Sequence, residues 1–207
     1  MQTATLQTTN LACERGGRFL FNNLNITLNA GELLQVLGRN GCGKTSLLRI
    51  LTGLLTPQQG KIHWCGRLIQ ECGAEYRQAF CYLGHKNAIK ASLTVLEHLQ
   101  LHTYLRQQQP PADLSEILHR FSLWPLRYRR GETLSAGQRQ RLALARLALT
   151  PAPLWILDEP FTALDTQGIE NGLQMMAQHV AQGGMVVFTS HQPLTWQSTG
   201  FKQISLG

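Results

Sequence analysis

The stretch that most constrains this chain is GRNGCGKTS, from Gly38 to Ser46. It matches G-x-x-x-x-G-K-[ST], the pattern of a phosphate-binding loop. An apolar run of strand character, Leu33 to Leu37, precedes it, and apolar residues at helical spacing follow it from Ser46 to Leu54. Strand, glycine loop and helix are the context that this motif requires. The sequence therefore predicts a nucleotide-binding α/β fold rather than an ordinary glycine turn.

The residue types in this loop explain how it would hold a phosphate. Its glycines have no Cβ atom, so the backbone can curl and bring its N–H groups close to an anion. The helix that follows adds its positive N-terminal end. We expect Lys44 to reach the β- and γ-phosphates of ATP and the Thr45 hydroxyl to ligate Mg²⁺. The predicted nucleotide-binding residues of the loop are Gly38, Arg39, Asn40, Gly41, Cys42, Gly43, Lys44, Thr45 and Ser46.

A second motif, LWILDEP from Leu154 to Pro160, is an apolar strand that ends in two adjacent acids. On its own this pattern favours a strand with solvated acids at its end. Beside a phosphate loop, the same acids are placed for catalysis. We expect Asp158 to hold Mg²⁺ or its water shell, and Glu159 to polarise the water that attacks the γ-phosphate.

A third motif, LSAGQRQRLALARL from Leu134 to Leu147, predicts a helix that begins at Ser135, a good N-cap residue. Gly137 would expose backbone N–H groups in the first turn, and such a helix start can bind a second anion. The alternative is an ordinary capped amphipathic helix with no ligand.

The order of these motifs along the chain resembles that of ATP-binding cassette (ABC) ATPases. Two further segments fit the resemblance: TALD, from Thr162 to Asp165, is similar to the D-loop, and TSHQP, from Thr189 to Pro193, is similar to the switch strand. The resemblance implies an α/β P-loop NTPase fold with a RecA-like parallel-sheet core, an antiparallel β-subdomain and a helical lobe. The chain would then be a single domain over 1–207, with the helical part inserted at about 85–150.

The resemblance also implies how the site is completed. In this family two such domains dimerise head to tail, and each ATP lies between the phosphate loop of one copy and the LSAGQ helix of the other. His191 would contact the γ-phosphate and act in catalysis with Lys44 and Glu159. The nucleotide contacts implied outside the phosphate loop are Ser135, Gly137, Gln138 and Asp165.

Two positions depart from the family pattern. His85 follows the strand before the helical lobe, where the family usually has a glutamine, so we expect it near Mg²⁺. A histidine can accept through a ring nitrogen or donate when protonated, but it is not an amide. The aromatic residue that stacks on adenine is missing near the N-terminus. Arg15 lies about where it would be, and its guanidinium plane can stack on a base.

The chain is short, and GHKNAIKASLTVLEHL, from Gly84 to Leu99, resembles the ATP-binding subunits of haem exporters in cytochrome c biogenesis. This resemblance implies a peripheral protein at the cytoplasmic face of the inner membrane, attached to integral membrane subunits. Its ATPase would power haem delivery to a periplasmic haem chaperone, or release of the loaded chaperone. Another short ABC exporter is an alternative, and an ABC ATPase acting on nucleic acid is a further one.

The composition limits the partners. A formal net charge of +7 suits an acidic partner such as a nucleotide, a nucleic acid or an anionic membrane surface. Only Arg127 to Arg130 (RYRR) is a dense basic run, and it is more typical of a solvated face. The chain lacks the coiled-coil insertion or second cassette of nucleic-acid ABC proteins, so we expect no nucleic-acid partner. No apolar run is long enough to span a bilayer and no secretory signal is visible, which predicts a cytoplasmic location.

Two histidines, His98 and His102, lie four residues apart on a predicted helix. This spacing can hold a metal or haem. The sequence provides no third ligand in register, which favours a solvated or partner-facing helix instead.

Overall fold

The computed structural model describes residues 4–105, 114–194, 196 and 200–207. These residues divide into two compact units. The first comprises the described parts of Met1–Gly84, Ala152–Glu159 and Gln178–Gly207, and the second those of His85–Pro151 and Pro160–Ala177. The spacing of apolar residues also predicts helices over 94–106 and 113–121, with a loop over 107–111 between them. That loop and the helix ends at Arg106 and Asp113 lie outside the described residues. The description of the chain as one domain stays a prediction.

The first unit contains the strands of the described chain. They are β1 (Thr5–Arg15), β2 (Arg18–Asn29), β3 (Leu33–Gly38), β4 (Gln59–Trp64), β5 (Arg67–Leu68), β6 (Phe80–Leu83), β7 (Leu154–Leu157), β8 (Met185–Ser190) and β9 (Phe201–Leu206). Within the described residues, one sheet is antiparallel with the order β2-β1-β4-β5, and the other is parallel with the order β6-β7-β8-β3-β9. The predicted parallel core and antiparallel subdomain are therefore confirmed.

The helices follow the predicted periodicity except in one region. They are α1 (Lys44–Leu51), α2 (Ile69–Cys72), α3 (Ala74–Ala79), α4 (Val95–Leu105), α5 (Ser115–Arg120), α6 (Ala136–Ala148) and α7 (Thr166–Ala181). The sequence did not predict α2 and α3, because elements of four and six residues are too short to show a helical period. None of the helices among the described residues is long and apolar enough to cross a membrane.

The central strands of the parallel sheet, β7 and β8, are buried on both faces, which explains why they are almost entirely apolar. Every residue of β7 is buried, and so are the first five of β8. Helix α1 contributes Leu47, Leu48, Ile50 and Leu51 to the same core. A parallel sheet needs such cover on both sides, so the run of apolar residues before each motif is a direct consequence of the fold.

The register of the parallel strands brings the sequence motifs of the first unit together. Leu37 at the end of β3 pairs with Ser190 of β8, and Leu157 at the end of β7 pairs with Phe188 of β8. The three neighbouring strands therefore end at the same edge of the sheet. The segments that follow them carry the phosphate loop, Asp158 with Glu159, and His191.

In the second unit, α6 begins with the predicted N-cap. The Ser135 hydroxyl accepts from the Gln138 N–H at 3.2 Å, and the Gln138 side chain accepts from the Ser135 N–H at 2.9 Å. This reciprocal capping box satisfies two N–H groups that the helix cannot pair internally. The buried face of α6, which includes Leu142 and Ala145, packs against α4 and α5. The helical lobe of the predicted fold is thus present.

A buried histidine in the first unit makes stability depend on pH. The His179 ring stacks on Trp155 with 3.8 Å between ring centroids, and burial lowers its pKa. An unfolded histidine titrates near pH 6.5, so below about that value the unfolded chain takes up a proton that the folded chain disfavours. The contribution of the neutral His179 ring to the free energy of unfolding is therefore lost on acidification.

We expect the melting temperature to fall between pH 7 and pH 5, by about 2–4 °C for each kcal/mol lost. His179→Phe keeps an aromatic ring on Trp155 and cannot titrate, so its melting temperature should fall less. Burial also lowers the pKa of His98. His98 therefore contributes part of the change of melting temperature with pH (the slope) that remains in His179→Phe. His63→Gln is the control and should keep the wild-type slope. Identical slopes for wild type and His179→Phe would contradict this assignment.

Candidate functional site

The phosphate loop joins β3 to α1, and its glycines are required by its conformation. Gly43, the N-cap of α1, has φ of 107°, and Gly41 has φ of 82°, values that residues with a side chain rarely adopt. A Cβ atom on Gly38 would meet the Cys42 sulfur and would lie 2.6 Å from the Leu206 carbonyl oxygen. The loop can therefore close only with glycine at these positions.

Lys44 is held inside this loop. It is only 5% exposed, and its Nζ donates to the carbonyl oxygens of Gly38 at 2.7 Å and Arg39 at 3.2 Å. The Glu159 carboxylate lies 3.9 Å from the same Nζ. A buried ammonium must have such partners, because an unpaired buried charge is strongly destabilising. The arrangement keeps a positive charge where the loop would bring a phosphate.

Thr45 and Asp158 meet directly, although 113 residues separate them. The Thr45 hydroxyl donates to Asp158 Oδ2 at 2.8 Å, and the Asp158 N–H donates to the Leu83 carbonyl at 2.7 Å. Asp158 is buried. Burial of the Tyr82 ring, and after it the negative charge of Asp158, raises the pKa of Tyr82. A hydroxyl and a carboxylate beside a phosphate site are hard oxygen donors, the kind that Mg²⁺ takes. The residues present therefore fit the ion that the sequence predicted.

Glu159 has an uncommon backbone conformation that its neighbours hold in place. Its φ is 51°, and its N–H donates to the Thr189 hydroxyl at 2.8 Å. The same hydroxyl donates to Asp158 Oδ1 at 2.9 Å, so Thr189 connects both acids. His191 Nε2 lies 2.8 Å from Glu159 Oε1 and donates to it, since a carboxylate only accepts. A carboxylate in contact with a histidine at the mouth of a phosphate site can orient and deprotonate a water.

The predicted site residues of the second unit are engaged by their own chain. Ser135 and Gln138 form the capping box, and a Cβ atom on Gly137 would lie 2.6 Å from the Ala163 carbonyl oxygen. Arg141 binds both carboxylate oxygens of Asp165, at 2.7 and 2.6 Å. This Arg141 contact, with the Gly168 N–H, lowers the pKa of Asp165. These contacts fix the geometry of the LSAGQ segment, and the role of these residues toward a nucleotide stays a prediction.

The two positions that depart from the family pattern are both exposed. His85 follows β6 by two residues, and its predicted place near Mg²⁺ stays a prediction. Arg15 lies at the end of β1, opposite Arg18 across the hairpin. Beside the phosphate loop is a cleft of about 690 Å³, and Arg15 is not among the described residues that line it.

The paired histidines of α4 have structural partners. His98 Nε2 lies 3.0 Å from the Lys90 carbonyl oxygen, and His102 Nε2 lies 2.7 Å from the Thr150 hydroxyl. Across the part of the chain that the structure describes, no group of three or more His, Cys, Asp or Glu side chains is arranged to hold a metal. These hydrogen bonds explain both rings as structural residues of the second unit.

The geometry agrees with comparisons to known proteins. A family model described as ABC transporter matches residues 21–162, which is more than half of the chain.

The chain belongs to the ABC transporter family.

Among its relatives are the cytochrome c biogenesis ATP-binding export proteins CcmA of Shigella flexneri and of Escherichia coli strain K12. Each is 47% identical to this chain over 201 residues, which cover 97% of this chain and 96% of the relative. The family and the ATPase activity predicted from the sequence are therefore confirmed.

Solved structures have the same fold. A putative ABC transporter ATP-binding protein from Pyrococcus furiosus is similar with a TM-score of 0.84 and 21% identity, covering 98% of this chain and 97% of that one. A dimeric ATP-binding cassette in a post-hydrolysis state, bound to ADP and phosphate, is similar with a TM-score of 0.77 and 22% identity. It covers 90% of this chain and 88% of its own. At these identities the likeness shows the ABC fold.

Sequence reasoning missed two features near the phosphate loop. Thr189 was noted only as the first residue of TSHQP, and its contacts with Asp158 and Glu159 depend on the pairing of β7 with β8, which the sequence does not state. Phe19 lines the cleft beside the phosphate loop together with Arg18. The only sequence signal for Phe19 was an aromatic residue next to a turn, which is too common to indicate a site.

The bridge through Thr189 leads to a prediction. Thr189→Val keeps the shape of this fully buried side chain but removes the hydroxyl that connects Asp158 to the Glu159 N–H. We expect ATP turnover to fall by about tenfold or more, which is the loss of one to two buried hydrogen bonds, with ATP affinity within about twofold of wild type. Thr189→Ser restores the hydroxyl and should restore turnover. Steady-state hydrolysis and nucleotide titration measure the two effects, and unchanged turnover in Thr189→Val would show that the bridge has no catalytic role.

Proposed function

We propose that this chain is the ATP-hydrolysing subunit of an ABC exporter in cytochrome c biogenesis, peripheral to the cytoplasmic face of the inner membrane. The observation that carries the proposal is 47% identity to CcmA proteins over nearly the whole length of both chains. It is supported by the meeting of Lys44, Thr45, Asp158, Glu159 and His191 at one edge of the parallel sheet.

The chemistry is ATP hydrolysis at this edge. The N–H groups of the loop and the Lys44 ammonium bind the phosphates. Thr45 and Asp158 would hold Mg²⁺, which would supply neutralisation of the phosphate charge. Glu159 accepts a proton from the attacking water, and His191 fixes the orientation of that carboxylate while facing the γ-phosphate. The strained backbone of Glu159, whose cost is about 1–3 kcal/mol, is offset by its bond to Thr189.

A second copy of the chain completes each site. We propose that both units form one ABC domain, and that Ser135, Gly137, Gln138 and Asp165 of one copy meet the nucleotide held by the other. Support comes from the similar cassette that was solved as a dimer with ADP and phosphate. The opening and closing of this dimer would be transmitted to integral membrane subunits. His85 would take the place of the usual glutamine in the contact between the nucleotide site and those subunits.

The cargo is the finer part of the proposal. We assign haem, or release of a haem-loaded periplasmic chaperone, because the CcmA relatives are named for export in cytochrome c biogenesis. The alternative to haem is the cargo of another short ABC exporter, since none of the described contacts identifies the transported molecule.

The catalytic assignment can be tested with one variant of Glu159 and one of Lys44, whose side chains lie next to each other. Glu159→Gln removes the proton acceptor but keeps the size of the side chain, so ATP should bind with turnover reduced by about 100-fold or more. The bound nucleotide should then trap a dimer, visible by size-exclusion chromatography. Lys44→Ala removes the phosphate-binding charge, so it should abolish binding and form no such dimer. Normal hydrolysis by Glu159→Gln would reject Glu159 as the base.

The haem assignment needs a cellular measurement. In cells whose own subunit is replaced by Lys44→Ala, we expect c-type cytochromes to lose covalent haem staining. The b-type haem proteins should keep their non-covalent haem, measured by absorbance, because they need no covalent attachment after export. The wild-type chain is the control and should restore the staining. Normal c-type cytochromes with the Lys44→Ala chain would exclude a role in this pathway and leave the ATPase assignment in place.

A further inference from the structure

Strand β3 carries a polar residue, Gln35, in the middle of an otherwise apolar run. Gln35 is fully buried, and its neighbours Leu34 and Val36 pack into the hydrophobic core. A buried amide is destabilising unless its N–H groups and its oxygen have hydrogen-bond partners. An apolar residue would fill this position without that requirement, so the contacts of the amide indicate what the polar side chain does here.

The Gln35 amide uses its full hydrogen-bonding capacity. Its Nε2 donates to the Ser190 hydroxyl oxygen at 2.6 Å and to the Gln192 carbonyl oxygen at 2.8 Å. Its Oε1 accepts from the Leu194 N–H at 3.2 Å and from Gln203 Nε2 at 2.8 Å. A carbonyl oxygen only accepts and a backbone N–H only donates, so these partners determine which way the amide is turned.

Three of these four hydrogen bonds reach residues 190–194 at the end of β8, called the His191 segment below. Ser190 and Gln192, which flank His191, are both bound by the same Gln35 Nε2 atom. The Ser190 hydroxyl also donates to the Gln192 carbonyl oxygen at 2.6 Å. The backbone on each side of His191 is therefore bound to β3 through one buried side chain.

The His191 side chain depends on this backbone for its position. It is 46% exposed, so packing holds it only in part, and its Nε2 lies 2.8 Å from Glu159 Oε1. The strand that carries Gln35 ends at Gly38, the first residue of the phosphate loop. Gln35 thus connects the strand that leads to the phosphate loop with the segment that brings His191 to Glu159. All of these residues lie in the first unit.

We propose that Gln35 is a positioning residue for ATP hydrolysis, which holds the His191 segment so that the imidazole meets Glu159. The proposal rests on the proposed function, in which Glu159 accepts a proton from water and His191 orients that carboxylate. Gln35 is itself buried, and its amide is fully engaged by the chain rather than by a ligand. Its removal should therefore slow the chemical step and leave the binding of ADP as it is.

The test is a double-mutant cycle on the purified full chain. Gln35→Met keeps a buried side chain of similar length but removes all four bonds. ATP turnover should fall by about 10- to 100-fold, as displacement of a catalytic group by about 1 Å can cause. His191→Ala lowers turnover by itself, and adding Gln35→Met to it should change the residual rate by less than about twofold, because the group that Gln35 positions is already gone. Single-turnover reactions with radiolabelled ATP, followed for hours, resolve these low rates.

Two further measurements separate positioning from a general loss of structure. The affinity of Gln35→Met for Mg·ADP, which has no γ-phosphate, should stay within about twofold of wild type. Thr8→Val is the matched control for buried hydrogen bonds in the same unit, because the Thr8 hydroxyl donates to the Leu24 carbonyl at 3.2 Å and accepts from the Ile26 N–H at 2.9 Å. Thr8→Val should lower the melting temperature and keep wild-type turnover.

Ser190→Ala decides the question if Gln35→Met does not fold. It removes a partly exposed hydroxyl that accepts from Gln35 and donates to the Gln192 carbonyl. Turnover should fall by about fivefold, the loss of one hydrogen bond, and this fall should disappear when His191→Ala is also present.

Each contrary result has a distinct meaning. Unchanged turnover in folded Gln35→Met, an equal loss with and without the His191 side chain, or a parallel loss of ADP affinity would overturn the positioning role and leave the ATPase function standing. Wild-type turnover by His191→Ala would instead reject the part given to His191 in the proposed function, and the role of Gln35 would fall with it.

Discussion

The alignment of β7, β8 and β3 at one edge of the parallel sheet determines the chemistry of the first unit. The pairs Leu37–Ser190 and Leu157–Phe188 set this alignment. A slip of one residue in a parallel pair would exchange the side chains packed on the two buried faces, so the close packing of the core opposes it. The precision of the site therefore comes from the burial of Val, Ile and Leu side chains that never contact a ligand.

At this edge of the sheet a buried positive charge lies near two acids that have partners of their own. Lys44 is buried with two carbonyl partners, and its contact with Glu159 is 3.9 Å, longer than a direct charge-assisted hydrogen bond. The acids are held by other groups: Asp158 by Thr45 and Thr189, and Glu159 by His191. Because each acid has its own partner, Lys44 is free to bind a phosphate without leaving an unpaired carboxylate behind.

Motifs confined to a few consecutive residues were predictable, and contacts between strands were not. The phosphate loop, the cap at Ser135 and the apolar strand before Asp158 are local patterns of residue type, and each was found in its predicted element. The contact of Thr189 with Asp158 joins residues 31 positions apart, and the place of Phe19 in the cleft depends on how β2 packs on Gly43. Long-range pairing of this kind is set by the whole core, and no short segment encodes it.

The predicted nucleotide contacts are divided between the two units, and in the proposed dimer each site takes one group of contacts from each copy of the chain. The residues predicted to bind the phosphates and to act in catalysis lie in the first unit, whereas Ser135, Gly137, Gln138 and Asp165 lie in the second. In the second unit these residues already have partners: a capping box orders the start of α6, and Arg141 holds Asp165. Pre-ordered groups of this kind lose little conformational entropy when they bind. They are therefore suited to the role proposed for them, which is to bind a nucleotide held by another copy of the chain.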